Sequence, residues 1–309
     1  MSNTPYNLEL ITGPCSITHE NVQEIIHEIA EIKVNGQKAI HGTRVVGLKS
    51  RTALNPSGEG MGIDIKAINQ AIIASEDELA EITLPSIELA EQIVKQTGMK
   101  VGLEVMLPHV QLPFYERSEI LKNNLLIWNP AVVQLGWITM ELGKYAARNG
   151  WDIGIKNSKF LGREQLHEAN HPDFTGETSL EKTWKGLTTF IPTEIKSPIL
   201  IHRGVDVPRN DDFRNALAHE IARRVKEQIP GARLYLDPSH SYGPKLRDKI
   251  VSGTIEAMKM KHGDRFLYDG ALIEVGTSPS DTHQHITTKE LKELAEAVSE
   301  FRILRKPAE

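Results

Sequence analysis

Cysteine is almost absent from this chain. Cys15 is the only one, so no intramolecular disulfide can form, and a reducing, cytoplasmic setting is the expectation. Long apolar runs are missing too: none approaches the roughly 18 residues of a membrane-spanning helix. The opening MSNTPYNLELITG lacks the basic-then-apolar order of an export signal. No membrane association is expected. Positive charge is not in excess, since 36 Lys and Arg against 41 Asp and Glu leave a net charge of −5. That balance argues against nucleic acid or anionic lipid as a partner, and any anionic ligand must be held by local clusters of cations. A Gly-rich dinucleotide fingerprint is lacking, because GPCS (13–16) after the first strand is a poor match to it. Internal repeats, low-complexity tracts and domain linkers are likewise not found.

What is present is ordinary globular composition, 39% hydrophobic and 25% charged, over 309 residues. That length suits two domains or one large barrel. Eight short strands are predicted: LELIT (8–12), RVVGL (44–48), KVGLEVM (100–106), AVVQL (131–135), DIGIK (152–156), PILIH (198–202), RLYLD (233–237) and ALIEV (271–275). Between them, 21–32, 85–96, 213–229 and 289–304 carry apolar residues at helical spacing. Near-continuous apolar strands alternating with amphipathic helices indicate a parallel sheet covered by helices. Eight such units predict an α/β fold, a single-domain (β/α)8 TIM barrel over residues 1–309, in preference to a doubly wound sheet. Residues 162–197 are long for one crossover and predict an extra helix or a lid.

In such a barrel, chemistry collects where strands end. Here the ends read Cys15, Lys49–Arg51, Glu104, Lys156, Arg203, Asp237/His240 and Glu274, with Asp281 shortly after. Closure of the ring sets strand eight beside strand one, which gathers a thiol, an imidazole and carboxylates on one arc of the mouth. Mixed S/N/O donors suit a divalent ion such as Mn, Fe, Co or Zn. The plainer alternatives are a lone cysteine acting as a small hydrophobe and DPSH (237–240) serving only as a turn. Lys49, Arg51, Lys156 and Arg203 form an opposite, cationic arc suited to phosphate and carboxylate, unless they serve only in ion pairs with Glu104 and Asp237. Arg44 lies five residues before Lys49, so a regular strand points the two to opposite faces. SGEGMG (57–62) is expected to be a flexible lid and not a phosphate loop.

The ordered set GPCS (13–16), RVVGLKSRT (44–52), GIKN (154–157), HRG (202–204), DPSH (237–240), IEV (273–275) and SDTHQHIT (280–287) resembles the superfamily of 3-deoxy-7-phosphoheptulonate (DAHP) synthase and 3-deoxy-octulosonate 8-phosphate synthase. The likeness runs over nearly the whole chain and is nearer the DAHP branch through K-S-R-T. It implies a transferase of aromatic amino acid biosynthesis (the shikimate pathway) that condenses phosphoenolpyruvate (PEP) with erythrose 4-phosphate in an aldol-like reaction. It implies small phosphorylated substrates and a homo-oligomer. By the same resemblance Cys15, His240, Glu274 and Asp281 are the metal ligands, and Arg44, Lys49, Lys156 and Arg203 contact PEP. Arg51 and Thr52 grip the aldose phosphate, and Lys49 and His240 are the catalytic candidates. The sequence departs from the family in three places. Trp137 and Ile138 stand where an Ala-Arg pair supplies a phosphate contact, Ser50 replaces a proline, and Gly276 stands where many relatives have histidine. These departures keep open a divergent enzyme with another aldehyde or enol donor, and a catalytically silent barrel used as a binding subunit.

Overall fold

Burial alternates along the start of the run NLELITG and then becomes continuous, the mark of a strand entering a closed core; it forms β1 (Asn7–Gly13). The computed structural model describes residues 7–15, 17, 19, 21–45, 75–105, 108–130, 135–158, 166–207, 212–276 and 283–304. Seven further parallel strands follow: β2 (Gly42–Val45), β3 (Lys100–Glu104), β4 (Leu125–Asn129), β5 (Asp152–Lys156), β6 (Ile199–His202), β7 (Arg233–Leu236) and β8 (Gly270–Glu274). Each pairs with the next in chain order, and β8 pairs with β1, so the sheet closes into an eight-stranded barrel with helices between strands. Glu9 opposes Gly270, Ile11 opposes Leu272 and Gly13 opposes Glu274 across that closing seam. The predicted (β/α)8 barrel is the fold observed. A two-residue strand, Ile303–Leu304, adds to the outer start of β1.

Most predicted strands fall within two residues of those found, though residues 46–48 of the predicted RVVGL lie outside the described residues. Strand four does not: the expectation lay on AVVQL, drawn there by two valines, whereas β4 is LLIWN, buried at all five positions. Residues 131–134 lie outside the described residues. The helix expected from Pro85 onward starts at Glu76 and runs to Thr97 through an exposed Pro85. Proline favours a first turn, but it is tolerated here within a helix whose opposite face is packed in the core. The helix expected over 213–229 covers only His219–Glu227; residues 213–218 are held as a loop, with Val205 bridging Ala216. The long crossover after β5 carries two helices, Leu166–Ala169 and Ser179–Thr188. Thr178 and Glu181 cap the second reciprocally.

Side chains alternate along a strand, so one face of every strand fills the barrel. That face forms three tiers. At the floor stand Glu9, Lys100, Asp152 and Arg233, one from each odd-numbered strand and alternating in sign around the ring. Arg233 reaches Asp152 at 2.8 Å and Glu9 at 3.3 Å, and Lys100 also pairs with Asp152. Above and between these charges lies an apolar layer of Ile11, Leu126, Trp128, Ile199, Ile201, Tyr235 and Leu272. Glycine makes room for its largest members: a Cβ on Gly102 would sit 2.8 Å from the Trp128 ring, and one on Gly270 would sit 2.8 Å from that of Tyr235. Beyond that layer, the same face becomes polar.

Candidate active site

The polar tier consists of Glu104, Lys156, Arg203, Asp237 and Glu274, each at or just past the C-terminal end of its strand. Arg203, Asp237 and Glu274 lie two places on from members of the apolar tier, and Glu104 and Lys156 four places on from Lys100 and Asp152 of the floor, which places all five on the inward face. Lys156 is 1% exposed. Its Nζ lies 3.0 Å from Glu104 Oε2 and 3.4 Å from Asp237 Oδ2, and sits 5.4 Å from the centre of the Trp128 ring. Trp128 donates from Nε1 to the same Glu104 oxygen at 3.1 Å. Arg203, also buried, donates from its backbone to Asn157 Oδ1 at 2.8 Å and from Nη1 to Asn215 Oδ1 at 3.1 Å. Asn215 in turn donates to the carbonyl of His240 at 2.6 Å. The cationic side of the mouth is therefore tied directly to the residue expected to ligate metal.

His240 sits in a short helix, Pro238–Tyr242, which Asp237 caps by accepting the His240 amide hydrogen. The proline fixes the first turn and the acid satisfies an amide that would otherwise be orphaned. Asp237 also lies 3.0 Å from His240 Nδ1. A carboxylate there requires Nδ1 to carry the hydrogen, which leaves the ring's lone pair on Nε2. That pairing is typical of metal-ligating histidines. Glu274 is fully buried at the end of β8, with His240 Nδ1 3.7 Å from Oε1 and His285 Nε2 3.8 Å from Oε2. Its Oε2 also accepts from Gln284 at 2.8 Å, whose amide oxygen is held by Arg214. Half-buried Cys15 lies two residues beyond Gly13, the residue opposite Glu274, and its amide donates to His285 Nε2 at 3.1 Å.

Of the expected residues, Cys15 follows β1 and Glu274 ends β8 across the closing seam, with His240 Nδ1 3.7 Å from Glu274, while Lys156 and Arg203 stand at the ends of β5 and β6. Arg44 lies on β2 opposite Gly102. Lys49, Arg51, Thr52, SGEGMG and Asp281 lie outside the described residues. Among the described residues no complete group of three or more His, Cys, Asp or Glu side chains is assembled to hold an ion. The donor chemistry of Cys15, His240 and Glu274 nevertheless fits a divalent metal. Among the described residues no helix is long and apolar enough to cross a membrane.

Four contributors were not foreseen: Trp128, Asn215, Gln284 and His285. Trp128 was legible only with β4 correctly placed, and Asn215 lay inside an expected helix. Gln284 and His285 were visible in SDTHQHIT but had no strand end to mark them. The departures from the family pattern also find places. Ile138 is 2% exposed in the main core, whereas Trp137 is half-exposed near the start of helix Gly136–Asn149. Arg148, at that helix's far end, pairs with Glu116 and stacks on Tyr145. Comparison of the chain with protein families and with curated proteins finds no match.

Proposed function

We propose that this barrel is a metal-dependent enzyme of the DAHP-synthase type, joining PEP to an aldose phosphate and releasing phosphate. One observation carries the reading: the register Gly13↔Glu274 across the closing seam, which sets Cys15 near Glu274, itself 3.7 Å from His240. Lys156 and Arg203, at the ends of β5 and β6, supply the charge a doubly anionic enol phosphate requires. A divalent ion held by Cys15, His240, Glu274 and Asp281 supplies Lewis-acid polarisation of an aldehyde oxygen when bound.

The chain's own groups account for the rest. Lys156 and Arg203 bind and orient the carboxylate and phosphate of PEP, and they stabilise negative charge growing there during reaction. Glu104, fixed by Trp128, holds the Lys156 ammonium in place until the anion arrives. Asp237 keeps the hydrogen of His240 on Nδ1. A carbon–carbon bond forms between the enol carbon of PEP and the aldehyde carbon, water adds at the former enol-ether carbon, and phosphate departs by C–O cleavage. Lys49 is assigned proton transfer at the aldehyde oxygen.

A second reading, a different enol donor or aldehyde in the same site, is favoured by the core position of Ile138 and the outward pairing of Arg148. Loss of one charge-assisted phosphate contact costs about 1.5–3 kcal/mol of binding. The test incubates metal-loaded protein with PEP and erythrose 4-phosphate and follows PEP loss and phosphate release. The expected result is turnover that a chelator abolishes and added Mn or Co restores. Turnover only with another aldehyde or donor supports the second reading, and a protein binding no divalent metal contradicts both.

A further inference from the structure

We propose that His285 is a positioning residue for Cys15, holding the exit of β1 against the exit of β8 so that thiol and Glu274 face one ion. The inference rests on the metal-centre reading above. Cys15 follows the last strand residue of β1 by two places. Its amide donates to His285 Nε2 at 3.1 Å. With Nε2 accepting, the ring hydrogen resides on Nδ1, which donates to the carbonyl of Gly276 at 3.2 Å. One neutral imidazole therefore bridges the chain leaving β1 and the chain leaving β8. Its Nε2 also approaches Glu274 Oε2 to 3.8 Å.

The bridge is itself anchored. The Gly276 amide donates to Ile286 O at 3.1 Å, and the Ile286 amide donates to Glu274 O at 3.0 Å. Arg247 Nε donates to the carbonyl of His285 at 2.9 Å, while the same guanidinium pairs with Glu290. Gly276 adopts φ +121, a conformation side chains avoid, and a Cβ there would meet the Glu24 carboxylate at 3.0 Å. The imidazole side chain is only 8% exposed. Fixed backbone and fixed ring hold the acceptor nitrogen that the Cys15 amide meets. Hydrogen-bond partners that orient metal ligands typically set affinity by 10–100-fold.

The experiment titrates metal-free protein with Co(II) and reads the thiolate-to-cobalt charge-transfer absorption, which reports a Cys15–metal bond because Cys15 is the only cysteine. Alkylation of the same thiol in the metal-free protein is timed alongside, and thermal unfolding confirms the fold. His285→Gln keeps an acceptor at the reach of Nε2; His285→Leu fills the space without one. The expected result is a Gln variant within about threefold of wild type, and a Leu variant bound roughly 10–100-fold more weakly, with a diminished band and faster alkylation. If the Leu variant does not fold, His285→Asn, whose amide is too short to reach Cys15, takes its place. A Leu or Asn variant matching wild type overturns the proposal, as does a Gln variant as impaired as Leu. A wild-type protein with no charge-transfer band overturns the metal-centre reading itself.

Discussion

His41 accepts the Leu10 amide hydrogen on Nδ1 at 3.3 Å, and burial lowers its pKa to about 4. Two more histidines flank a buried tyrosine. His202 Nε2 accepts from the Ala218 amide, so its Nδ1 donates to the Tyr268 hydroxyl at 2.7 Å, and that hydroxyl donates to His219 Nδ1 at 2.6 Å. Burial, opposed slightly by Glu220, lowers His219 to about 4. His202 is driven well below its ordinary value by burial first and then by His219, against the pull of Asp237. All three are neutral in the fold. As pH falls, the unfolded chain takes up protons near 6.5 while the folded chain refuses them until about 4. The stability these residues confer is therefore complete above pH 6.5 and declines from there toward pH 4. Unfolding free energy from denaturant titration should fall across that window with a slope approaching three protons, and His41→Asn, which keeps an acceptor for Leu10, should reduce the slope by about one. An unchanged slope in that variant contradicts the assignment.

Among the elements, the inward faces of β3, β5 and β7 matter most, because each runs from a charge through glycine or tyrosine back to a charge within five residues. Of the three tiers, the middle one contributes most to stability. Full burial of each large apolar side chain is worth about 1.5–3 kcal/mol, whereas partly exposed ion pairs like those of the floor give about 0–1 kcal/mol. Gly102→Val should therefore cost about 3 kcal/mol by driving Trp128 aside, and should loosen Glu104 and Lys156 with it. Thermal unfolding checks the first effect and PEP affinity the second; a variant as stable as wild type contradicts the tight fit. The barrel itself was legible from strand–helix alternation, and the ends of β1, β3 and β5–β8 from their composition. β4 was missed because leucine and tryptophan signal burial without the β-branched character that marked 131–135. The polar tier could be named from sequence because motifs sit at strand ends. Its supports could not: Trp128, Asn215 and His285 act through contacts between residues 24, 12 and 270 positions apart.

At the scale of the whole molecule, everything chemical depends on the ring being closed. An open sheet with the same strands would leave Cys15 and Glu274 at opposite edges, whereas closure makes β1 and β8 neighbours. The ionic floor lies at one end of the barrel and the apolar tier separates it from the mouth, so the two cations and three carboxylates of the polar tier stand at the other end only. The most direct measurement is a crystal structure of the protein grown with Mn or Co, with anomalous scattering recorded at the metal's absorption edge. The account predicts a single ion at the β1–β8 seam, at about 2.0–2.3 Å from Cys15 Sγ, His240 and Glu274. An ion elsewhere, no ion at all, or Cys15 standing farther than about 8 Å from His240 and Glu274, well past any joint coordination, would contradict it.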